Sequence, residues 1–233
     1  MSKIESFFNQ LRVIHRQNPA ISLVLAWVSL VPLLGSSILA TLVYQLAPAL
    51  PETLSFGQKL AFMLISALLM GLALSPTTLL AIISGYLWAW PIFPYLVGGY
   101  ALASLIGYFI GNRLDQNTLS TLLAPYPKVH QMILQRQSKM GQLVFYMRIS
   151  PIVPFAISNI LFALLHTGWR RVIYFGIPGM LPRTAMAFGL GLAAASLELA
   201  LKGGAEQSYQ VWIILGLIGL SSFGMIRFFS AKG

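Results

Sequence analysis

Apolar residues run through this chain in long blocks, and the few polar positions between them mark where each block begins and ends. Ile21 to Ala47 is the first block. It exceeds the roughly 7–15 residues of a signal-peptide core and is long enough to cross a bilayer, so it predicts a retained transmembrane helix over 20–47. Ahead of it, Ile4, Phe7, Phe8, Leu11 and Ile14 recur at helical spacing among Lys3, Arg12 and Arg16, which predicts an amphipathic segment over 1–19 on the cytoplasmic membrane surface. From Leu60 to Asn112 there are 53 positions without a charge. As one helix they would measure about 80 Å against a hydrocarbon core of about 30 Å, so the chain must turn inside the run. Pro76, Pro91 and Pro94 are the turning points. They leave Leu60 to Leu74 and Thr78 to Trp90, each about 20 Å long and too short to cross, which predicts a re-entrant hairpin over 57–90 followed by a transmembrane helix over 92–111.

The same pattern returns after a basic amphipathic loop over 112–140, in which Val129, Met132, Ile133 and Met140 line one face. A short apolar piece ends at Ile149, Pro151 and Pro154 break it, and Phe155 to His166 leads back, predicting a second hairpin over 141–167. A helix over 172–200 follows, interrupted at Pro178, Pro182 and Arg183, and a last span covers 209–229. The predicted class is an all-α polytopic membrane protein with two inverted repeats, each a re-entrant hairpin plus a transmembrane helix, between N- and C-terminal transmembrane helices.

Composition agrees: 57% of residues are hydrophobic and 9% charged, more apolar surface than a soluble core absorbs. The net charge of +10 is a topology signal and not a nucleic-acid footprint, because the bases fall between apolar spans. With both hairpins re-entrant, Lys3, Arg12, Arg16, Arg113, Lys128, Arg136, Lys139, Arg170, Arg171, Arg227 and Lys232 lie on the cytoplasmic side and only Lys59 and Lys202 opposite, which puts both termini in the cytoplasm. Ser75-Pro76 echoes Ser150-Pro151, and Gly99, Ser104 and Gly111 repeat as Gly179, Thr184 and Gly191 at an offset of eighty. Ala103, Gly107 and Gly111 make a small-residue face that suits tight intramolecular packing, the favoured reading, or a homo-oligomer.

There are no cysteines, and His15, His130 and His166 show no ligand spacing, so neither a metal nor a cofactor is expected. Hydrolase, metalloprotease and phosphate-loop motifs are absent, and the protein is not expected to be an enzyme. The unusual residues are Arg148 and Arg183, which fall at membrane depth while Glu5, Glu52, Asp115, Glu198 and Glu206 all fall near boundaries. A guanidinium without a carboxylate suits a visiting phosphate, with Ser75, Thr77, Thr78, Ser150, Ser158 and Asn159 as hydroxyl and amide partners if the two hairpin tips face one cavity. The competing reading has Arg148 capping carbonyls at the end of the first arm, Arg183 doing so at its proline kink, and the hydroxyls capping helices.

Arg148-Ile149-Ser150-Pro151-Ile152-Val153-Pro154-Phe155, with Asn159 and Gly179-Met180-Leu181-Pro182-Arg183-Thr184, resembles the DedA superfamily, also called the VTT or SNARE-associated Golgi protein family. Ser75-Pro76 and Gly85-Tyr86-Leu87-Trp88 resemble the first re-entrant segment of that family, and the resemblance runs from about Gly57 to Ala195. It implies two inverted re-entrant loops and lipid translocation, since eukaryotic relatives are phospholipid scramblases and bacterial ones are linked to undecaprenyl phosphate recycling. Arg148 matches the first essential arginine of the bacterial motif. Pro154 stands where a second arginine is usual, and Thr77 and Thr78 stand where an acid is usual, so the chain is nearer the Golgi-type branch.

The expected function is therefore a lipid transporter or scramblase of a bacterial plasma membrane, moving phospholipid or undecaprenyl phosphate, with Arg148, Arg183, Ser75, Thr77, Thr78, Ser150 and Asn159 at the head group and Pro76, Pro151, Pro154 and Pro182 as breaks. The alternatives are an ion-coupled transporter of a small solute and a non-transporting scaffold.

Overall fold

The computed structural model describes residues 19–114, 139–150 and 153–201, and among these every regular element is helical. The predicted amphipathic segment, most of the basic loop, the last span and Pro151 lie outside the described residues. The helices are α1 (Pro19–Leu46), α2 (Phe56–Gly71), α3 (Thr77–Trp88), α4 (Phe93–Leu114), α5 (Met140–Ile149), α6 (Phe155–Leu164) and α7 (Trp169–Leu201).

Length sorts them. Ala26–Ala49, Trp90–Arg113 and Trp169–Glu198 are apolar stretches of 24, 24 and 30 residues that can each cross a bilayer. By contrast α2, α3, α5 and α6 have 16, 12, 10 and 10 residues, about 15–24 Å of helix, and none of them reaches across alone. Large apolar side chains such as Leu30, Leu34, Ile38, Leu64, Tyr174 and Met186 stand exposed around the outside, the surface expected of a protein solvated by lipid.

Local chemistry sets the short helices. Ser55 and Gln58 form a reciprocal capping box at the start of α2, with Ser55 N donating to Gln58 Oε1 at 2.8 Å. Pro76 and Pro154 each stand immediately before a second arm, where extended backbone and a missing N–H suit the position before the first helical turn. Between α2 and α3 the chain reverses through Ala73 at φ 57°, with Leu74 N and Ser75 N both donating to Leu69 O. Trp88 then returns to where α2 began: its indole donates to Pro51 O at 3.2 Å and its ring lies 5.6 Å from Phe62. In the second half Val144 in the middle of α5 clusters with Phe162 and Ala163 near the end of α6, while Arg148 at the end of α5 bonds Phe155 O and Ser158 nearer the start of α6. Both pairs of short helices are therefore hairpins with their open ends together.

The arms of each hairpin splay onto different long helices. α2 packs on α4 and α3 on α7, while α5 packs on α7 and α6 on α4, so each first arm lies on its own following helix and each second arm on that of the other half. The long helices α4 and α7 also touch, and the largest buried cluster, including Met70, Leu80, Ile92, Leu96, Tyr100 and Phe188, lies where α2, α3, α4 and α7 meet.

Glycines admit these contacts at the spacing that the sequence repeats. Gly99 lies against Met63 and Ser66 of α2, and Gly179 lies in the same way against Phe145 and Arg148 of α5. Gly111 meets Ile160 and Ala163 of α6, and Gly191 meets Ile82 and Tyr86 of α3. Gly107 rests on Asn159 of α6, so this small-residue face is used for packing within the chain. A carbon added at Gly191 would stand 2.0 Å from Ile82 O, in contact with backbone that cannot rotate away. Gly191→Ala is expected to push α7 off α3 and to cost about 1–3 kcal/mol, read as a lower thermal unfolding temperature in detergent. An unchanged temperature would contradict the close approach.

One expected break is absent. Helix α7 runs through Pro178 and Pro182 without interruption. Each proline removes a single ladder hydrogen bond, which membrane helices tolerate when their neighbours hold them, and here α3, α4 and α5 all pack against α7.

Candidate functional site

Arg148 is the last charged residue of α5 and only 4% exposed. Its side chain crosses to α6 and α4. Nη1 donates to Ser158 Oγ at 2.9 Å and to Phe155 O at 3.4 Å, and Nη2 donates to Ser104 Oγ at 3.2 Å and to Asn159 Oδ1. The guanidinium also lies over the Phe155 ring at 4.2 Å and near that of Phe162 at 5.3 Å, a desolvated cation stacked between aromatic faces. Arg148 therefore does not cap the carbonyls of its own helix. It ties three helices together through neutral acceptors, and its Nε remains without a partner.

Arg183, half-buried on α7, does not cap its kink either. Its Nη2 donates to Thr77 Oγ1 at 3.3 Å, joining the second half to the tip of the first hairpin. Tyr100 of α4 fixes the same residue from the other side, its hydroxyl donating to Thr77 O at 2.8 Å. Among the described residues neither arginine has a carboxylate partner.

Two spaces meet at these residues. The inner one is a chamber of about 10 Å³ bounded by Thr77, Tyr100, Arg148, Ser158, Arg183 and Thr184. The outer one is a cleft of about 490 Å³ between α1 and the two hairpin tips, with Val28, Ser29, Pro32 and Leu33 on the α1 side. Ser75, Pro76, Thr77 and Thr78 of the first tip and Pro154, Phe155, Ala156 and Ile157 of the second form the other walls. Thr77, Phe155 and Arg183 border both spaces.

The N-termini of α3 and α6 thus open on one cleft, and neither is capped by a side chain. Two positive helix ends beside Arg183 make this wall electropositive. The Ser75 hydroxyl in the same wall is buried and unpartnered. Among the described residues no carboxylate lines either space.

The residues singled out from sequence fall into three groups. Ser75, Thr77, Thr78 and Arg183 line the cleft. Arg148, Ser158 and Asn159 form the buried network behind it. Ser150 is the residue after α5, its N–H donating to Tyr146 O, and it lines neither space. Sequence reasoning assigned no site role to Ser104, Tyr100, Phe162 or Thr184. Ser104 and Thr184 carried a signal, since they repeat at the offset of eighty and both prove to be buried beside an arginine.

The two halves differ where charge is concerned. Through its contact with Gly99, Ser66 occupies the place in the first half that Arg148 holds against Gly179, and its hydroxyl donates to Met63 O at 3.0 Å. Ala103, fully buried, lies eighty positions before Arg183. Both cations belong to the second half of the chain.

Compared with protein families, the VTT domain model matches residues 75–193, from the first hairpin tip through most of α7. Comparisons with curated proteins and with solved structures return no match.

Proposed function

Since the chain belongs to the VTT domain family, that of the DedA and SNARE-associated Golgi proteins, and is an integral membrane protein, we propose that it is a lipid transporter of the scramblase kind whose cleft takes the phosphate of a lipid head group. The observation that carries this reading is the convergence of two uncapped helix N-termini and Arg183 on one cleft without an acid among its described walls. Phosphate is the group that such a wall favours, because oriented N–H dipoles and a planar guanidinium both favour oxyanions.

The hairpins supply the path. Each is too short to cross and has its open end on one side, which supports the reading that both re-enter, from opposite faces, and that their tips meet near the midplane. A largely apolar cleft at that depth with Arg183, Thr77 and Thr78 in its wall, open beside the thinly packed α1, lets a head group move inward while its acyl chains stay in lipid. The excess of lysine and arginine on one side of that topology supports both termini in the cytoplasm. Phospholipid and undecaprenyl phosphate both carry the required phosphate.

The test is lipid flip in liposomes holding the purified full chain, with a labelled phospholipid and undecaprenyl phosphate assayed in parallel. Flip of at least one lipid above protein-free liposomes is expected. Failure with both, from protein shown to be folded, would overturn lipid transport and leave the solute transporter and scaffold readings.

A further inference from the structure

The inner chamber is too small for the ligand that the cleft suits. About 10 Å³ is room for one water-sized particle, whereas a phosphate group brings four oxygens. Yet the chamber is where the positive charge is concentrated: Arg148 and Arg183 both line it, with hydroxyl-bearing Thr77, Tyr100, Ser158 and Thr184 around them. The acceptors that hold Arg148 are all neutral, so they satisfy its donors without cancelling its charge. Its Nε, buried and unpartnered, is a donor left over after four acceptors have been supplied. A buried charge is costly without a counter-charge, and two of the same sign in one small space repel each other.

We propose that this chamber binds a single halide-sized anion, chloride in the cell, which lies between the two guanidiniums behind the cleft and neutralises them. Guanidinium donors and the hydroxyls of Thr77 and Thr184, around a space with no carboxylate among its described walls, favour an anion over a cation, and the volume favours a monatomic one. The anion is resident and not cargo. It allows Arg148 and Arg183 to share a membrane interior before any lipid arrives, and it stands whether or not the cleft takes a lipid.

The measurement is thermal unfolding of the detergent-purified full chain at constant ionic strength, with gluconate replaced stepwise by chloride, bromide or inorganic phosphate. Chloride and bromide should raise the unfolding temperature saturably, by about 3 °C on reaching roughly 0.2 M, while phosphate does not. Arg183→Gln should abolish the response, and Thr184→Val, which removes a hydroxyl lining the chamber but not the cleft, should weaken the chloride midpoint roughly tenfold. Identical curves in gluconate and chloride would overturn the proposal, as would an undiminished response in Arg183→Gln. Stabilisation by phosphate equal to that by chloride would also overturn it, because the chamber would then be the inner end of the head-group site. If the variants do not fold, anomalous scattering from wild-type crystals grown in bromide decides: a bromide peak between Arg148 and Arg183 supports the site, and its absence refutes it.

Discussion

Arg148→Ala is expected to abolish lipid flip and to destabilise the fold by about 3 kcal/mol. The second effect follows from the hydrogen bonds. Ser104 Oγ and Asn159 Oδ1 lose their donor in a dry interior, and Phe155 and Phe162 lose the cation that fills the space between them. Hydrogen bonds to charged groups contribute about 1.5–3 kcal/mol each, and an unmet buried polar atom costs about 1–3 kcal/mol, so a loss of this order follows even though Ser158 keeps its bond to Phe155 O. The first effect follows from geometry, since Arg148 holds α6 against α4 and thereby holds the Pro154 side of the cleft in place. Arg148→Lys keeps the charge but not the planar fork that spans Ser104, Ser158 and Asn159, so it should recover only part of either quantity. Flip in liposomes and thermal unfolding in detergent check both. Full flip in a stable alanine variant would show that the network is dispensable.

Arg183→Ala is expected to give the opposite split: flip reduced at least tenfold, with stability in chloride-free buffer lowered by no more than about 1 kcal/mol. Arg183 makes one hydrogen bond, to Thr77 Oγ1, and is half-buried, so its deletion leaves a single hydroxyl to be met by water from the cleft. Its charge is another matter. Among the described residues it is the cation that borders the cleft, and a guanidinium facing phosphate is not replaced by helix dipoles alone. Arg183→Lys should retain part of the flip, because a point charge still attracts phosphate without the bidentate geometry. An unfolding temperature that falls as far as in Arg148→Ala would make Arg183 a structural link and transfer the head-group role elsewhere in the wall.

Neither role was readable from the run of residues alone. Both arginines stood out because charge at membrane depth is rare, but they looked alike, and the sequence favoured Arg148 as the residue that meets the head group. The fold separates them by burial and partners: Arg148 is enclosed by four acceptors, whereas Arg183 reaches the open cleft. The hydroxyl and amide residues divide in the same way, with Ser158 and Asn159 turned inward to Arg148, Ser75 and Thr78 in the cleft wall, and Ser150 in neither place. Pro182 shows the limit of local rules from the other direction. A proline inside an apolar run reads as a break, yet α7 passes through it because three packed neighbours hold the helix on either side.

The set of pieces is legible along the chain. Run length against bilayer thickness, the turns at Pro76 and Pro154, and the glycine repeat at eighty are local or periodic properties of the chain, and they mark long helices, short arms and the close-contact glycines of α4 and α7. How the pieces interlock and which groups share a space is visible only in the folded chain. That α3 leaves its own hairpin partner for α7, that α6 does the same for α4, and that Ser104 reaches Arg148 across 44 positions depend on shape and close packing between segments far apart in the chain. Hydropathy carries no record of such pairings, because in lipid every apolar face is equally satisfied and the choice among neighbours falls to small residues and buried hydrogen bonds.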